Sequence, residues 1–321
     1  MKSSSIIKQN NQAMPAGSRL WTPANIGNDL KLWMRPEGIR PHNGESSTDS
    51  DLAQNKWLDS SSFRSEMGPA ENPFALAITG LKASLVSEGN GATFGSLNAK
   101  KFDVYTAEGA ARGGCIPESS GEQIDPGTGA FTALSVLRIN QTGDTDVPYS
   151  QSLTIMSDGT ISIPSKFTLS MSVTSSPVND PSTVTVSSAM NSGTHTETIE
   201  SKAGNSQIFD NEDFLISYER DGSGNSEFFN NGTSLGTATN QGGDLSDSKA
   251  RNLYCLVTVE VSGQGNIYIG NNTKNIIAET ILFNKEDATT RILCEGYLAH
   301  KYGRQNTLAS SHKYRYGPPR F

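Results

Sequence analysis

The segment Ile281-Leu-Phe-Asn-Lys-Glu-Asp-Ala-Thr-Thr-Arg-Ile-Leu-Cys-Glu-Gly-Tyr-Leu-Ala-His-Lys-Tyr-Gly303 changes periodicity within a few residues. Ile276 to Phe283 is apolar enough for a strand, whereas Ala288, Ile292, Leu293, Gly296, Tyr297 and His300 recur at helical spacing. Asn284 or Asp287 can cap that helix, Glu286 and Asp287 suit its positive end, and Lys301 and Gly303 suit its C-terminus. A helix is therefore expected from near Asn284 to Gly303. A loop follows, containing Leu308-Ala-Ser-Ser-His-Lys-Tyr314 and Pro318-Pro319.

Upstream of this segment the chain reads as strands. Phe131 to Ile139 is nearly continuous in apolar character, as a strand covered on both faces requires. Phe167, Leu169, Met171 and Val173 alternate with Thr168, Ser170, Ser172 and Thr174, which gives one buried and one polar face. Residues 182 to 200 form a hairpin around Asn191-Ser-Gly193. Phe214, Ile216 and Tyr218 alternate with Leu215, Ser217 and Glu219; Asp221-Gly-Ser-Gly-Asn225 then turns the chain into Glu227-Phe-Phe, and Asn230-Asn-Gly232 turns it again. Leu253, Cys255, Val257 and Val259 alternate with Tyr254, Leu256 and Thr258. Near the N-terminus Leu30, Leu32 and Met34 alternate with Lys31 and Trp33, and Pro36 and Gly38 are expected to break that run.

The succession resembles the concanavalin A-like (laminin-G-like) jelly-roll domain of phage and bacterial surface proteins. The residues that carry the resemblance lie at both ends: Trp21-Thr-Pro-Ala-Asn, Leu32-Trp-Met-Arg-Pro-Glu37 and Trp57-Leu-Asp-Ser60 at the start, the strand and helix after Ile276 at the end. It implies an all-β sandwich of two antiparallel sheets with one short C-terminal helix, in which first and last strands are neighbours. One domain over residues 19–321 follows, preceded by an extended arm over residues 1–18 and interrupted by a long insertion at about 84–130. Within the insertion's surroundings, short strands are expected near Ala75 to Ile78 and Phe102 to Tyr105, with the rest a surface excursion.

Composition bounds the function. Of 321 residues only 34% are hydrophobic and 18% charged, with 31 glycines, a profile of many short strands joined by polar turns rather than a helical bundle. A formal charge of −7 without a clustered Lys/Arg run argues against nucleic acid, because phosphate neutralisation needs a basic stripe; Lys313, Arg315 and Arg320 make a local patch only. The N-terminus lacks the apolar stretch of a signal peptide, and no apolar run is long enough to span a bilayer. Cys115, Cys255 and Cys294 show no paired spacing and read as small core residues.

No catalytic set is expected. A Glu-x-Asp-x-x-Glu run, which would place paired carboxylates in one cleft, is absent; Glu197 and Glu200 are expected on opposite faces of a strand. His42, His195, His300 and His312 are scattered, and His300 reads as a packing and hydrogen-bonding residue of the helix. No cofactor is implied. Calcium is the one metal to weigh, since Asp221, Ser223, Asn225 and Glu227 alternate oxygen side chains, although tight turns use the same residues. For a sugar, Tyr105, Tyr149, Tyr314 and Tyr316 are the candidate stacking residues.

The resemblance implies a non-enzymatic structural protein of the phage virion surface, a capsid decoration or appendage subunit present in multiple copies or as a homo-oligomer. It would be held to other virion proteins by its N-terminal arm. A lectin-like adhesion module for cell-surface glycans is the alternative, and a polysaccharide hydrolase the third reading.

Overall fold

The computed structural model describes residues 19–40, 56–60, 66–69, 83–85, 93–94, 97–98, 100–104, 112–115, 129–139, 149–157, 166–175, 182–190, 193–202, 212–239, 241–245, 252–259 and 273–321. The arm over 1–18 and the strand expected near Ala75 to Ile78 lie outside them. In chain order the strands are β1 (Leu30–Arg40), β2 (Lys56–Asp59), β3 (Glu66–Pro69), β4 (Ala83–Leu85), β5 (Thr93–Phe94), β6 (Leu97–Asn98), β7 (Lys100–Val104), β8 (Arg112–Cys115) and β9 (Phe131–Ile139). They continue with β10 (Tyr149–Ser157), β11 (Phe167–Ser175), β12 (Ser182–Met190), β13 (Gly193–Lys202), β14 (Glu212–Arg220), β15 (Ser226–Asn230), β16 (Thr233–Ala238), β17 (Asn252–Val259) and β18 (Thr273–Phe283), followed by the helix α1 (Ala288–Lys301).

Two large antiparallel sheets result, beside a separate two-stranded pairing of β5 with β6. The first runs β16-β15-β14-β9-β18-β1-β2-β3, with β7 added to the first half of β18 and β4 to β7. The second runs β13-β12-β11-β10-β17-β8-β3. Strand β3 belongs to both, because Met67 pairs with Trp57 of β2 while Gly68 pairs with Cys115 of β8. First and last strands are neighbours as expected, with Trp33 opposite Ile281.

The first sheet is covered on both faces, which accounts for the unbroken apolar character of β9. On one face Phe131 meets Phe167 of the second sheet at 6.0 Å between rings and Tyr218 at 5.6 Å. On the other, Leu134, Val136, Leu215, Ile281 and Phe283 pack with Trp21, Trp33, Cys294, Leu298, Ala299, Tyr302 and Leu308 beneath α1 and the terminal loop. Burying a side chain of this size is worth about 1.5–3 kcal/mol each, so the two layers together supply the main stabilisation. The Cys294 thiol is fully enclosed there and its pKa is pushed well up by burial, as an inert core residue.

Three details differ from the sequence expectation. Strand β1 passes through Pro36 and Gly38; a register shift between Met34 and Ile39 absorbs the missing proline donor. A strand stands near Phe102 as expected, as β7, but the stretch expected as a surface excursion also supplies β4, β5, β6 and β8, of which β8 is inserted between β17 and β3. Its Gly113-Gly114 reads as a loop locally, but glycine also suits a strand that neighbours approach closely. Finally, a register shift in β13 sets Glu197 opposite Val186 and Glu200 opposite Val184, so the two carboxylates share a strand face rather than pointing apart.

Helix α1 starts later than Asn284, at Ala288. Asp287 is the N-cap, its Oδ1 accepting from the backbone N–H of Thr289 at 3.0 Å and of Thr290 at 3.4 Å. Among the described residues no helix is long and apolar enough to cross a membrane.

Candidate functional site

The helix carries two buried charge networks that the alternating pattern of β14 does not reveal. Ser217 and Glu219 look like a solvent face in sequence, yet α1 lies over them. Glu295, wholly enclosed, accepts from Ser217 Oγ at 2.8 Å, from Arg291 Nη1 at 2.7 Å and from His312 Nε2 at 3.1 Å. His312 Nδ1 accepts the backbone N–H of Tyr314 at 3.2 Å, which fixes the imidazole proton on Nε2. Arg291 also lies 2.9 Å from Glu219 Oε2 and stacks 3.6 Å above the Phe229 ring.

Burial raises the Glu219 carboxyl, and the neighbouring Glu295 adds to this while Arg291 opposes it. Burial alone would lower the Arg291 guanidinium, but Glu295 and Glu219 outweigh it and hold it up. The second network centres on Glu279, also fully buried, which accepts from Trp33 Nε1 at 2.6 Å, Lys301 Nζ at 2.7 Å and Tyr302 OH at 2.8 Å. These carboxylates are neutralised internally, unlike a glycosidase pair, which must face a substrate cleft.

At the open side of the sandwich, β13 of one sheet approaches β15 and β16 of the other. His195 bridges them, with Nδ1 2.8 Å from Ser226 Oγ and Nε2 2.9 Å from Glu197 Oε1. A serine, histidine and acid in series suggests a nucleophilic triad, but the order on the imidazole is reversed relative to a working one, where the serine sits on Nε2. Ser226 is moreover buried among Tyr218 and Phe228, where no carbonyl substrate reaches it. The i, i+2 spacing of His195 and Glu197 is visible in sequence; Ser226 joins them only through sheet packing.

The calcium candidates behave as a turn. Asp221 Oδ1 accepts the backbone N–H of Ser223 and of Asn225, each at 2.8 Å, and Oδ2 accepts from Asn225 Nδ2 at 2.6 Å. Its slight burial works against ionisation, but those donors and the Gly224 N–H hold the carboxyl below its usual range. Glu227 sits on β15 opposite Glu219, committed to the ladder. Among the described residues no three His, Cys, Asp or Glu side chains are grouped as a metal would need.

Of the stacking candidates, Tyr105 lies outside the described residues, and Tyr149 is placed on β10 by its backbone. Tyr314 is half-buried against α1, where a Cβ on Gly296 would fall 2.5 Å from Tyr314 Cβ. Tyr316, two residues on, is 88% exposed. The loop that presents it is tied down on several sides. His300 Nε2 donates to the Tyr314 carbonyl at 2.7 Å, the Arg315 N–H donates to the His312 carbonyl at 3.1 Å, and Arg315 Nη1 donates to the Leu308 carbonyl. Beyond it the two ends of the described fold clasp each other, Trp21 N–H donating to the Pro319 carbonyl at 3.0 Å and Phe321 N–H to that of Arg19 at 3.1 Å.

No protein-family model matches the chain, and no curated protein matches it in sequence. Solved structures similar to it include the binding domain of botulinum neurotoxin DC in complex with rat synaptotagmin II, at 10% identity over 87% of this chain and 52% of that one, with a TM-score of 0.46. The binding domain of botulinum neurotoxin serotype G gives 14% identity over 88% and 53%, with a TM-score of 0.44. Botulinum neurotoxin type C, whose cell entry depends on interaction with two ganglioside molecules, gives 12% over 84% and 51%, with a TM-score of 0.45. The chain spans about half the length of the solved structures it matches. The two-sheet architecture rests on the strand pairings of the chain itself.

Proposed function

We propose that this protein is a non-enzymatic adhesion module that binds cell-surface glycans through the loop carrying Tyr316. The observation that supports it is an exposed aromatic ring on a rigid segment. A ring left 88% in water forgoes burial, whereas stacking on the apolar face of a pyranose recovers it. The hydrogen bonds from His300 and Arg315 fix the loop before any ligand arrives, which reduces the ordering cost of binding. The buried carboxylates Glu219, Glu279 and Glu295 are engaged in the core rather than facing a cleft.

A glycan array probed with the full chain tests this reading. Saturable, sugar-specific binding that Tyr316→Ala removes and Tyr316→Phe retains is the expected result; no binding across a broad panel would overturn it.

A second reading places the same module on a virion surface, as a capsid decoration or appendage subunit held by residues 1–18. Leu20 at 37% and Phe321 at 62% exposure support it, as apolar side chains left in water on the terminal ladder where that arm joins the fold. Co-purification with particles, lost when residues 1–18 are deleted, is the expected outcome; retention of the truncated chain argues against it.

A further inference from the structure

The terminal loop differs in charge from the rest of the molecule. The chain has 33 Asp and Glu against 26 Lys and Arg, yet residues 304–321 contain Arg304, Lys313, Arg315 and Arg320 and no carboxylate side chain. Arg304 is engaged by Asp213, its Nη1 3.4 Å from Oδ2 and its Nη2 donating to the Asp213 carbonyl. Of the others, Arg315 stands at the exposed ring, its guanidinium 6.0 Å from the Tyr316 ring while committing one N–H to Leu308. Lys313, three residues before Tyr316, is exposed, with its ammonium 5.3 Å from the Tyr314 ring.

We infer that the glycan taken by the Tyr316 loop is anionic, with a sugar carboxylate as the recognised charge; this rests on the adhesion reading above. The ring supplies a stacking surface that any pyranose satisfies, so it cannot by itself select a sugar. Selection falls to the cations of the same loop, Arg315 and Lys313. A guanidinium presents paired N–H donors in the geometry of a carboxylate, and Arg315 is already oriented by its bond to Leu308. The sparse anion of a carboxylated sugar fits better than a densely sulfated or phosphorylated polymer. Only a few cations are grouped here, and a polyanion approaching them would meet the field of a protein whose net charge is −7.

The test uses the full chain against one acidic polysaccharide in three forms: native, carboxyl-reduced to the neutral sugar, and a sulfated analogue of the same backbone. Binding to the native form is expected to exceed the other two, to weaken as salt is raised, and to fall in Lys313→Gln. One exposed cation contributes up to roughly fivefold, which sets the loss expected of this variant. The substitution lies on the surface, and an unchanged unfolding midpoint confirms that the fold is retained. Equal binding of the native and carboxyl-reduced forms overturns the inference while leaving the adhesion reading standing. Preference for the sulfated form overturns the choice of carboxylate. Failure to bind any sugar, neutral or acidic, overturns the adhesion reading itself.

Discussion

His195 Nδ1 and Ser226 Oγ lie 2.8 Å apart although their strands belong to different sheets, and neither strand pairs with the other. Among the described residues β13 ends one sheet and β16 ends the other, so this contact fastens the open side of the sandwich. Phe228, whose ring is 5.0 Å from the imidazole, keeps water from competing for the bond.

His195→Leu should therefore destabilise the fold by about 1–3 kcal/mol, because it removes the imidazole partner of the buried Ser226 hydroxyl. Gly236→Ala acts on the same staple more gently. The new methyl would collide with the Glu197 carboxylate, the far end of a flexible side chain that can swing away, so only the outer bond is lost. Hydrogen exchange should rise in β13 and β16 for both variants, more for His195→Leu. A reversed order would show that the outer Glu197 bond, not the Ser226 bond, holds the edge.

The Glu279 network should respond asymmetrically. Trp33→Phe removes one donor and leaves the ion pair with Lys301, at a cost of about 1–3 kcal/mol. Lys301→Met strands a buried carboxylate, which costs about 3–5 kcal/mol, whereas Lys301→Met combined with Glu279→Leu should recover most of the loss. Urea midpoints for the three variants check this ranking, and a Lys301→Met shift smaller than that of Trp33→Phe would contradict it.

Much of this architecture is legible in the chain. The unbroken apolar run of β9 announces a strand covered on both faces, and the spacing after Asp287 announces α1. What covers β9 is not legible. Ser217 and Glu219 occupy the polar positions of an alternating strand, and their burial under α1 depends on Arg291 and Glu295, distant in sequence, arriving with matching charges. The shared face of Glu197 and Glu200 is hidden for another reason: one extra residue in a strand inverts every later side chain, and no residue type marks it. In the loop, Tyr314 and Tyr316 are indistinguishable by composition. Their separation into a packed and an exposed ring follows from the absence of a side chain at Gly296, which admits the first against the helix.

Tyr218 supplies a test at alkaline pH. Burial pushes its phenol up to about 12, against the opposing influence of Ser188, Ser226 and Arg220. In the unfolded chain the group ionises near 10, so between these values the unfolded state has lost a proton that the folded state still binds. Its contribution to stability is complete below the unfolded value and disappears as pH rises through the folded one. Tyrosinate absorbance should show one group titrating late, in step with the loss of tertiary structure, and Tyr218→Phe should flatten the alkaline fall in stability. Ionisation of every tyrosine near pH 10 with the fold intact would rule this out.

Gly296→Ala sets helix propensity against packing. Alanine in a helix interior is favoured over glycine by about 1 kcal/mol. Here the added methyl would lie 2.5 Å from Tyr314 Cβ and 2.8 Å from Cγ, atoms close to the backbone that cannot swing aside as a carboxylate can. Overpacking of this kind costs about 1–3 kcal/mol, so the variant should be less stable despite its better propensity. The displaced Tyr314 would also pull its carbonyl from His300 Nε2 and shift the loop that carries Tyr316. Gly296→Ala should consequently weaken glycan binding together with thermal stability, while Tyr316→Ala should remove binding and leave the melting temperature unchanged. Measuring both quantities for both variants separates presentation of the ring from the ring itself, and undiminished binding in Gly296→Ala would mean that the loop's attachment to the helix does not position it.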